Sequence, residues 1–581
     1  MVRNSPGPAA VEVHEHGVAS GSRERSQDRG HSCLGPGGIG TTLHIDTPVS
    51  PPAARSPYYL ATTAIEEFWD PSRSLVFLGG WCRRFSRRAF WEPLAGEVME
   101  SPWRERKDLV AAYRYVSDTY EEVLPVLGET LNDLHGVRHG GRYWRILLGP
   151  WLLYFMPVVY DRLAHLSRAL ERYPGIETTG LADENFVTPG DTIESVLLAC
   201  EDAYNLQLCT QILAFLGRDV PRKPWSVAAD PETPRTSANA SERRWTLLKD
   251  VWNGMAGMFR GGRPVVLRNS YFSRRIEFNL AARTRGMVRP DYRRASGVAS
   301  SSVSPDRQMR ATLRSSLPKG DQLVSLLNWL LPSAMPVCFL EAFRGLEDQS
   351  RRRYTSSPTA VFSANSCYFD EVFKQWIAAC TARGTMLAGT QHGGNYGSMA
   401  YMPYEDHETA IADRYYSWGW GRHGCHATVI PMPASKLAGR RVLGPEANAE
   451  GCLFVATAMP RYLISLPINP SDFGDYLAWQ FRFVDSLRPE VRDALRVRPH
   501  YADAGWDIRE RWGQRYPTVA METWDIPFQR SLRNCRLYVC DHLSTTFAES
   551  LAVDKPTILF WDPRCNELRS EAQPYYDRLR A

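Results

Sequence analysis

Lysine is scarce in this sequence. Of the 69 basic residues among 581, only seven are Lys and the remainder are Arg. The 64 acidic residues nearly cancel them and leave a formal net charge of +5, with no block of positive charge. A nucleic-acid-binding protein usually gathers its positive charge on one face, so we expect no nucleic-acid partner. The Arg excess fits either codon usage or the recognition of phosphate and carboxylate groups.

The cysteines lack any organised spacing. None of the twelve forms a CxxC pair, and no Cys/His cluster has the spacing of a zinc site. The N-terminus also lacks the apolar segment of a secretory signal. Scattered thiols without a signal are typical of a reducing compartment. We therefore predict a cytoplasmic protein with no disulfide framework and no bound metal.

Long hydrophobic runs are absent as well. The best candidate, residues 146–160, contains Pro150 and Pro157 and is bounded by Arg145 and Asp161. A transmembrane helix needs about 20 apolar residues, so this run is interpreted as buried core. Peripheral contact with a membrane surface is left open by the composition.

The chain divides by composition into three parts. Residues 1–57 are rich in Gly, Ser, Pro and Arg, which predicts a disordered tail. We predict a first domain over 58–445 and a second over 446–581. Within the first, residues 222–243 and 286–318 have the Ser, Pro, Gly and Arg content of loop insertions.

Short apolar strands alternate with helical segments through the second half. This alternation predicts an α/β fold with parallel, doubly wound sheets. The predicted strands include SLVFLGG, RPVVLRN, VCFLEAF, AVFSAN, TMLAGT, GCLFVATAM, ALRVRPH, NCRLYVCD and KPTILF.

A polar, glycine-rich segment, GTQHGGNYG, follows the predicted strand TMLA. In open α/β sheets, ligands bind at the carboxyl ends of the strands. We predict His392 and Gln391 as the catalytic residues, with His392 placed to act as a general base or to contact a phosphate. Gly393 and Gly394 allow the backbone to approach a ligand closely. The alternative is a glycine-rich turn with a structural histidine. The spacing is not GxGxxG, so no dinucleotide site is predicted.

A second segment, DHLSTTFAES, follows a strand that ends at Asp541. Ser544, Thr545 and Thr546 begin a helix that carries Glu549. Hydroxyls and free N–H groups at a helix start bind anions, which predicts a phosphate site with Glu549 near a sugar or ribose hydroxyl. Thr546 and Glu549 also have the spacing of a capping box, an equal alternative.

Two weaker signals lie nearby. Arg498 and His500 end the strand of RVRPH and face either phosphate or solvent. Glu405, His407 and Glu408 form a polar set after the QHGG segment. They fit a position beside the acceptor or behind the catalytic residues, or a solvated helix face.

Taken together, these motifs resemble a family of transferases encoded in O-antigen and other surface-polysaccharide loci. The resemblance runs from about Phe77 to Leu579. Its marks are FLGGWC, RYWRILLGPWL, YDR, GTQHGG, HE followed by ADR and SWGWG, ATAMPRY, VRPH and DHLSTTFAES. The C-terminal half also resembles GT-B-like transferases that use nucleotide-activated sugars or CDP-alditols.

The resemblance implies two Rossmann-type domains facing a cleft, with helical additions in the first. It implies that Ser544, Thr545, Thr546 and Glu549 hold a nucleotide-activated donor, while His392 faces it from across the cleft. The expected partners are a nucleotide-sugar donor and a saccharide or lipid-linked saccharide acceptor, and the expected place of action is the cytoplasm or the inner face of the membrane. No metal is expected, since no DxD motif has a suitable setting.

The chain departs from the family at its end. Family members continue beyond the point where this sequence stops at YYDRLRA, so we expect a truncated C-terminal domain. The resemblance favours a glycosyltransferase. A CDP-alditol phosphotransferase of the same fold, and a non-catalytic nucleotide-binding protein of a polysaccharide assembly complex, remain alternatives.

Overall fold

A computed structural model describes residues 56–580, except for 226–262, 296–302, 440–448, 458, 467–472, 504 and 564–565. Residues 56–581 form one compact unit. The predicted tail lies outside the described residues apart from its last two positions, as does most of the predicted insertion 222–243. The domain boundary at 445/446 remains a prediction.

Parallel sheets form the framework, which confirms the α/β class. The N-terminal sheet contains the strands Tyr58–Ala61, Ser74–Phe77 and Gly96–Val98 in that order. A short parallel pair joins Gly180–Leu181 to Arg222–Lys223.

Two larger sheets follow, and all their strands are parallel. The central sheet has six strands in the order Thr428–Pro431, Arg414–Ser417, Met386–Thr390, Ala360–Ser363, Val265–Arg268 and Val288–Asp291. The C-terminal sheet has five in the order Ala520–Met521, Leu495–Arg498, Cys452–Val455, Leu537–Cys540 and Thr557–Leu559. The central strands of the C-terminal sheet, Cys452–Val455 and Leu537–Cys540, are apolar and largely buried, as expected where both faces of a parallel sheet are covered.

Helices cover these sheets. The α-helices of the described residues are Arg88–Trp91, Arg106–His135, Gly141–Arg172, Thr192–Leu198, Asp202–Phe215, Arg274–Arg283, Arg307–Ala311, Gln322–Ala334, Phe343–Arg353, Ser366–Phe369, Glu371–Thr381, Pro403–Ile411, Phe473–Asp485, Pro489–Asp493, Ile508–Arg515, Phe528–Arg533, Thr545–Leu551 and Gln573–Arg580.

The longest helix, Gly141–Arg172, contains the best apolar run and lies in the main core. It packs against Arg106–His135 and against Glu371–Thr381. Among the described residues, no helix has both the length and the apolar content needed to cross a membrane.

Two predictions about local structure were wrong. The segment VCFLEAF is not a strand: Val337–Phe339 forms a 3-10 turn, and the helix Phe343–Arg353 follows. A short apolar run that is buried on all sides has no periodicity to distinguish these states. The predicted insertion 286–318 contains the strand Val288–Asp291 and the helix Arg307–Ala311. The strand includes Pro290, which is tolerated because this strand lies at the edge of the central sheet.

Residues 566–572, after the last strand, pack against the loop that follows the strand Met386–Thr390 of the central sheet. We call them the return segment. The N–H of Ala400 donates to the carbonyl of Glu567 at 2.9 Å, and that of Arg569 donates to the carbonyl of Ser398 at 2.8 Å. The Arg569 guanidinium also pairs with Glu405 at 3.1 Å. The return segment therefore joins the C-terminal sheet to the central sheet.

Candidate functional site

The carboxyl edge of the central sheet gathers polar side chains from adjacent strands. Tyr271 follows Val265–Arg268, Asn365 follows Ala360–Ser363, and His392 follows Met386–Thr390. The amide of Asn365 donates to the Tyr271 hydroxyl at 3.2 Å. The ring of Tyr271 lies roughly parallel to that of His392, with their centroids 6.3 Å apart.

Gln391 points into its own loop. Its amide nitrogen donates to the carbonyl of Gly393 at 2.7 Å. Its carbonyl oxygen accepts from the backbone N–H of Trp418 at 2.8 Å and from the indole of Trp420 at 2.7 Å. These bonds use its main hydrogen-bonding capacity, so the geometry favours a role in shaping the loop over the predicted catalytic one.

His392 is half-buried and reaches a cavity. Its side chain retains 21% of its accessible surface, and it lines a cavity of ≈ 320 Å³, which we call the histidine cavity. Burial lowers the pKa of His392 to about 4. Its Nδ1 has no hydrogen-bond partner among the described residues and lies 3.6 Å from Glu408 Oε1. The ring is therefore neutral near pH 7 and able to accept a proton.

Glu408 is buried among tyrosines behind His392. Its Oε1 accepts from the hydroxyls of Tyr368 at 2.7 Å and Tyr396 at 2.8 Å, and its Oε2 accepts from Tyr415 at 2.7 Å. Burial raises the pKa of Glu408 to about 8, and the three hydroxyls offset only part of that effect. Glu408 is thus mainly protonated at neutral pH and leaves His392 without a charged partner.

This raised pKa makes stability depend on pH. Between its ordinary pKa near 4.5 and the folded value of about 8, the folded protein retains a proton that the unfolded chain has released. The contribution of Glu408 to the free energy of unfolding should therefore be largest below pH 4.5 and fall as the pH rises to 8. Relative to a variant that lacks this carboxyl group, the melting temperature of the wild type should drop by about 3 °C or more across this range.

Glu408→Gln should flatten this dependence, because the amide carries no titrating proton. The measurement is the melting temperature at pH 5.5 and about pH 8 for wild type and variant. The exposed Glu121, changed to Gln, is the control and should leave the slope unchanged. An equally steep slope in Glu408→Gln would show that another group is responsible.

The other two members of the predicted polar set point elsewhere. Glu405 accepts from the N–H of Gly397 at 2.6 Å and pairs with Arg422 and Arg569 at 3.1 Å each. His407 packs near Gly149, and burial lowers the pKa of His407 to about 3. Both are buried, as is Glu408, so the alternative of a solvated helix face was wrong for these three residues: tertiary packing covers the side of the helix that carries them.

The QHGG loop meets the start of the helix Thr545–Leu551. The N–H of Gly394 donates to the Thr545 hydroxyl at 3.2 Å. A Cβ on Gly394 would lie 2.3 Å from the carbonyl oxygen of Ser544, whereas one on Gly393 would have no contact closer than 3.6 Å. The two strongest sequence motifs are therefore in contact, and Gly394 is required for their close approach.

The start of the helix Thr545–Leu551 does not form the capping box that Thr546 and Glu549 would make, so that alternative was wrong. Ser544 is the N-cap and makes no side-chain capping bond. Glu549 turns away to pair with Lys436 at 2.5 Å and to accept from Gln529 at 3.1 Å. The Thr546 hydroxyl lies 3.9 Å from the Cys540 sulfur. The Ser544 side chain is consequently available to a ligand.

A second cavity, of ≈ 360 Å³, lies at the carboxyl edge of the C-terminal sheet, and we call it the cleft cavity. Thr457, Asp541 and Asp562, which follow three neighbouring strands, are among its lining residues. It shares Asn395, Met402, Tyr404 and Ser544 with the histidine cavity. The two cavities thus adjoin where the QHGG loop meets the helix start.

Within the cleft cavity, Asp541 and His542 form a buried pair. Asp541 accepts from His542 Nδ1 at 2.9 Å, from the Tyr476 hydroxyl at 2.8 Å and from Gln480 at 2.7 Å. Burial favours neutral His542, but its interactions with Cys540 and Asp541 outweigh burial and raise the pKa of His542 to about 10. A positive His542 therefore lies beside the cavity together with its partner, the Asp541 carboxylate.

Arg498 and His500 occupy the same sheet edge but differ in availability. Arg498 is buried, pairs with Glu522 at 3.1 Å and lies over the ring of Trp524. Its guanidinium is thus committed to protein partners and not to a phosphate. Burial lowers the pKa of His500, whose ring packs on Tyr501 at a centroid distance of 4.3 Å.

The extent of the match to known proteins decides the family. Residues 58–581 match the LIC12162 family transferase. The chain belongs to the LIC12162 family transferases. No curated protein matches it significantly. The family match therefore establishes the class of the protein as a transferase. In the described ranges, no group of His, Cys, Asp and Glu is suited to hold a metal ion.

Several residues of this LIC12162 family member were missed from the sequence. Tyr368, Tyr396 and Tyr415 surround Glu408 but come from separate elements, so no local pattern connects them. Lys436 pairs with Glu549 and belongs to a set of only seven lysines. In a chain that otherwise uses Arg, that rarity was a usable signal.

Proposed function

We propose that this LIC12162 family transferase is a GT-B-like glycosyltransferase that uses a nucleotide-activated sugar. The observation that supports this most is the contact between the His392 loop and the Ser544 helix start, since it places a neutral histidine next to a cavity at the carboxyl ends of parallel strands. Such edges bind nucleotides in many α/β proteins. Fold and motif supply the class of reaction, and the residues below supply the chemistry.

In this proposal the donor lies in the cleft cavity. Its phosphates contact the hydroxyls of Ser544 and Thr545, near the positive charge of His542. Charge that develops on the leaving phosphate in the transition state is stabilised by these fixed dipoles and by that charge. Lys436 is held by Glu549, so the proposed contact of Glu549 with a sugar or ribose hydroxyl would require that pair to open.

His392 removes the proton from the attacking acceptor hydroxyl. Its burial keeps the ring neutral, which is the state that a general base requires. The acceptor is proposed to be a saccharide or a lipid-linked saccharide of a surface polysaccharide of the O-antigen type. All ten described cysteines are free, and we place the reaction in the cytoplasm or at the inner face of the membrane.

Donor binding can be tested by thermal shift with CMP-, CDP-, UDP- and GDP-activated sugars. We expect one nucleotide class to raise the melting temperature, because a ligand that binds only the folded state stabilises it. Ser544→Ala should reduce that shift without lowering the stability of the free protein, since the hydroxyl makes no capping bond. Ser570→Ala, in the return segment, should leave the shift unchanged.

Absence of stabilisation by all four donor classes would count against the donor site. Product analysis then defines the reaction. A new glycosidic linkage without phosphorus supports sugar transfer, whereas a phosphodiester in the product would assign the chain to alditol-phosphate transfer. Donor binding without turnover on any acceptor would favour an assembly role.

A further inference from the structure

The largest of the cavities described in this structure, ≈ 630 Å³, is a third one at the carboxyl edge of the N-terminal sheet. Gly79 and Gly80, from the FLGGWC motif, form part of its wall at the end of the strand Ser74–Phe77. The opposite wall comes from the C-terminal half through Phe473, Trp506 and Arg511. Carboxyl edges of parallel strands are the usual ligand sites of such sheets, yet neither the donor nor His392 occupies this one.

Two arginines in this cavity have no acidic partner. Arg83 is half-buried, and its guanidinium lies 4.7 Å from the ring centroid of Trp91. Arg511 is also half-buried, lies 4.3 Å from the ring centroid of Phe85, and donates from Nε to the carbonyl of Trp506 at 2.7 Å. Neither forms an ion pair with any residue in the part of the chain that the structure describes. Burial lowers the pKa of each guanidinium; at Arg511 the nearby Asp507, Asp503 and Glu510 offset part of that effect, whereas no acidic residue does so at Arg83.

A buried histidine lines the same space, with Nδ1 close to the backbone carbonyl and the carboxylate of Asp161 and with Nε2 unpartnered among the described residues. His165 lines the cavity, is 3% exposed, and its Nε2 makes no hydrogen bond to any described residue. Its Nδ1 lies 2.9 Å from the carbonyl oxygen of Asp161 and fixes the ring. A buried polar atom without a partner is costly, and a bound ligand would satisfy it.

The acidic residues at this cavity do not neutralise the two arginines. Glu100 pairs with Arg104 at 2.7 Å and with Arg168 at 3.1 Å. Asp475 lies at the border with the cleft cavity and lines both. Arg83 and Arg511 therefore remain the free cations of the cavity among the described residues.

The aromatic walls indicate what else the ligand carries. The indole N–H groups of Trp81, Trp91 and Trp506 all donate to backbone carbonyls, at 3.0, 2.7 and 3.0 Å. These rings consequently offer the cavity only their apolar surfaces. They suit an apolar or planar group more than a heavily hydrated one.

We propose that this cavity binds an organic phosphate, with the phosphate between Arg83, Arg511 and His165 and an apolar or planar group against the tryptophans. A phosphate has enough oxygens to contact two guanidinium groups from opposite walls at once. Its protonated oxygen can also donate to His165 Nε2, which is an acceptor because Nδ1 donates to the Asp161 carbonyl. Because the cavity adjoins the donor cleft at Asp475 but does not contain His392, it would hold a phosphate-bearing part of the acceptor remote from the attacking hydroxyl; that last step rests on the proposed function, whereas the binding itself does not.

The test measures binding to the free protein by calorimetry, with phenyl phosphate, inorganic phosphate and phenol as probes. We expect phenyl phosphate to bind more tightly than either of the others. Arg83→Gln and Arg511→Gln should each weaken it about tenfold or more, the usual effect of losing one charge-assisted hydrogen bond. Arg104→Gln is the matched control, since its side chain is 71% exposed and paired with Glu100, and it should change affinity by less than about threefold.

A second variant guards against failed folding of the arginine variants. A Cβ on Gly80 would meet nothing within 4 Å, so Gly80→Leu should fold and should abolish phenyl phosphate binding by filling the cavity. No binding of phenyl phosphate, equal affinity for inorganic phosphate, or loss in Ser544→Ala but not in Arg83→Gln would each overturn the site. No donor is present in this assay, so a failure here leaves the donor site standing, and a failure of the donor panel leaves this site standing.

Discussion

His392→Ala should abolish sugar transfer while leaving the protein folded. Removing a positioned general base typically lowers turnover by about 100- to 10,000-fold. The side chain reaches the histidine cavity, its Nδ1 has no partner among the described residues, and burial keeps the ring neutral. Loss of the imidazole therefore removes the proton acceptor while leaving the donor contacts of the cleft cavity in place.

The measurement is single-turnover transfer with the donor that the thermal-shift panel selects. His423→Ala is the control. His423 is exposed and lies shortly after SWGWG in the sequence, so this variant should retain full activity. Donor affinity should be the same in both variants. Turnover close to wild type in a folded His392→Ala protein would remove this histidine from the reaction.

Gly394→Ala should separate the two motifs that form the site. The new methyl group would lie 2.3 Å from the backbone carbonyl oxygen of Ser544, and backbone cannot rotate away as a side chain can. We expect a loss of about 1–3 kcal/mol in the free energy of unfolding, the usual cost of overpacking. Transfer should fall by about 100-fold, because displacing reacting groups by about 1 Å is enough for such a loss.

Gly393→Ala provides the matched comparison. Its Cβ would have ordinary contacts, the nearest at 3.6 Å, so the melting temperature and the transfer rate should stay near wild type. The pair of adjacent glycines thus separates close approach from general loop flexibility. Equal effects of the two substitutions would show that flexibility, not the contact with Ser544, is what the loop requires.

The fold class followed from local patterns because they report burial directly. Strands such as Cys452–Val455 and Leu537–Cys540 are apolar runs bounded by polar turns, and the structure places both inside the C-terminal sheet. VCFLEAF failed because its burial on all sides leaves no period to read. The strand Val288–Asp291 was missed for a different reason, because Pro290 and the charged neighbours have the composition of a loop.

The site was only partly predictable, for a different reason. His392 and Ser544 stand in distinctive local sequences at strand ends, but they follow strands of different sheets, and only the resemblance to GT-B-like transferases implied that they face each other. The state of Glu408 depends on Tyr368, Tyr396 and Tyr415, which only the tertiary fold brings together. The sequence predicts that Arg498 faces either phosphate or solvent. Its actual partner, Glu522, lies on the loop after a neighbouring strand, and nothing in the local sequence identifies it as a partner.

The return segment restricts how the central and C-terminal sheets can move relative to each other. It ties the C-terminal sheet to the loop after the central sheet through the backbone bonds of Ala400 and Arg569 and through the ion pair with Glu405. Hinge motion between the two sheets must either keep these bonds and pivot about them, or break them. In the proposed two-domain enzyme, a pivot at these bonds would lie beside the His392 loop, so that the distant side could open to substrates while the two motifs stay in contact.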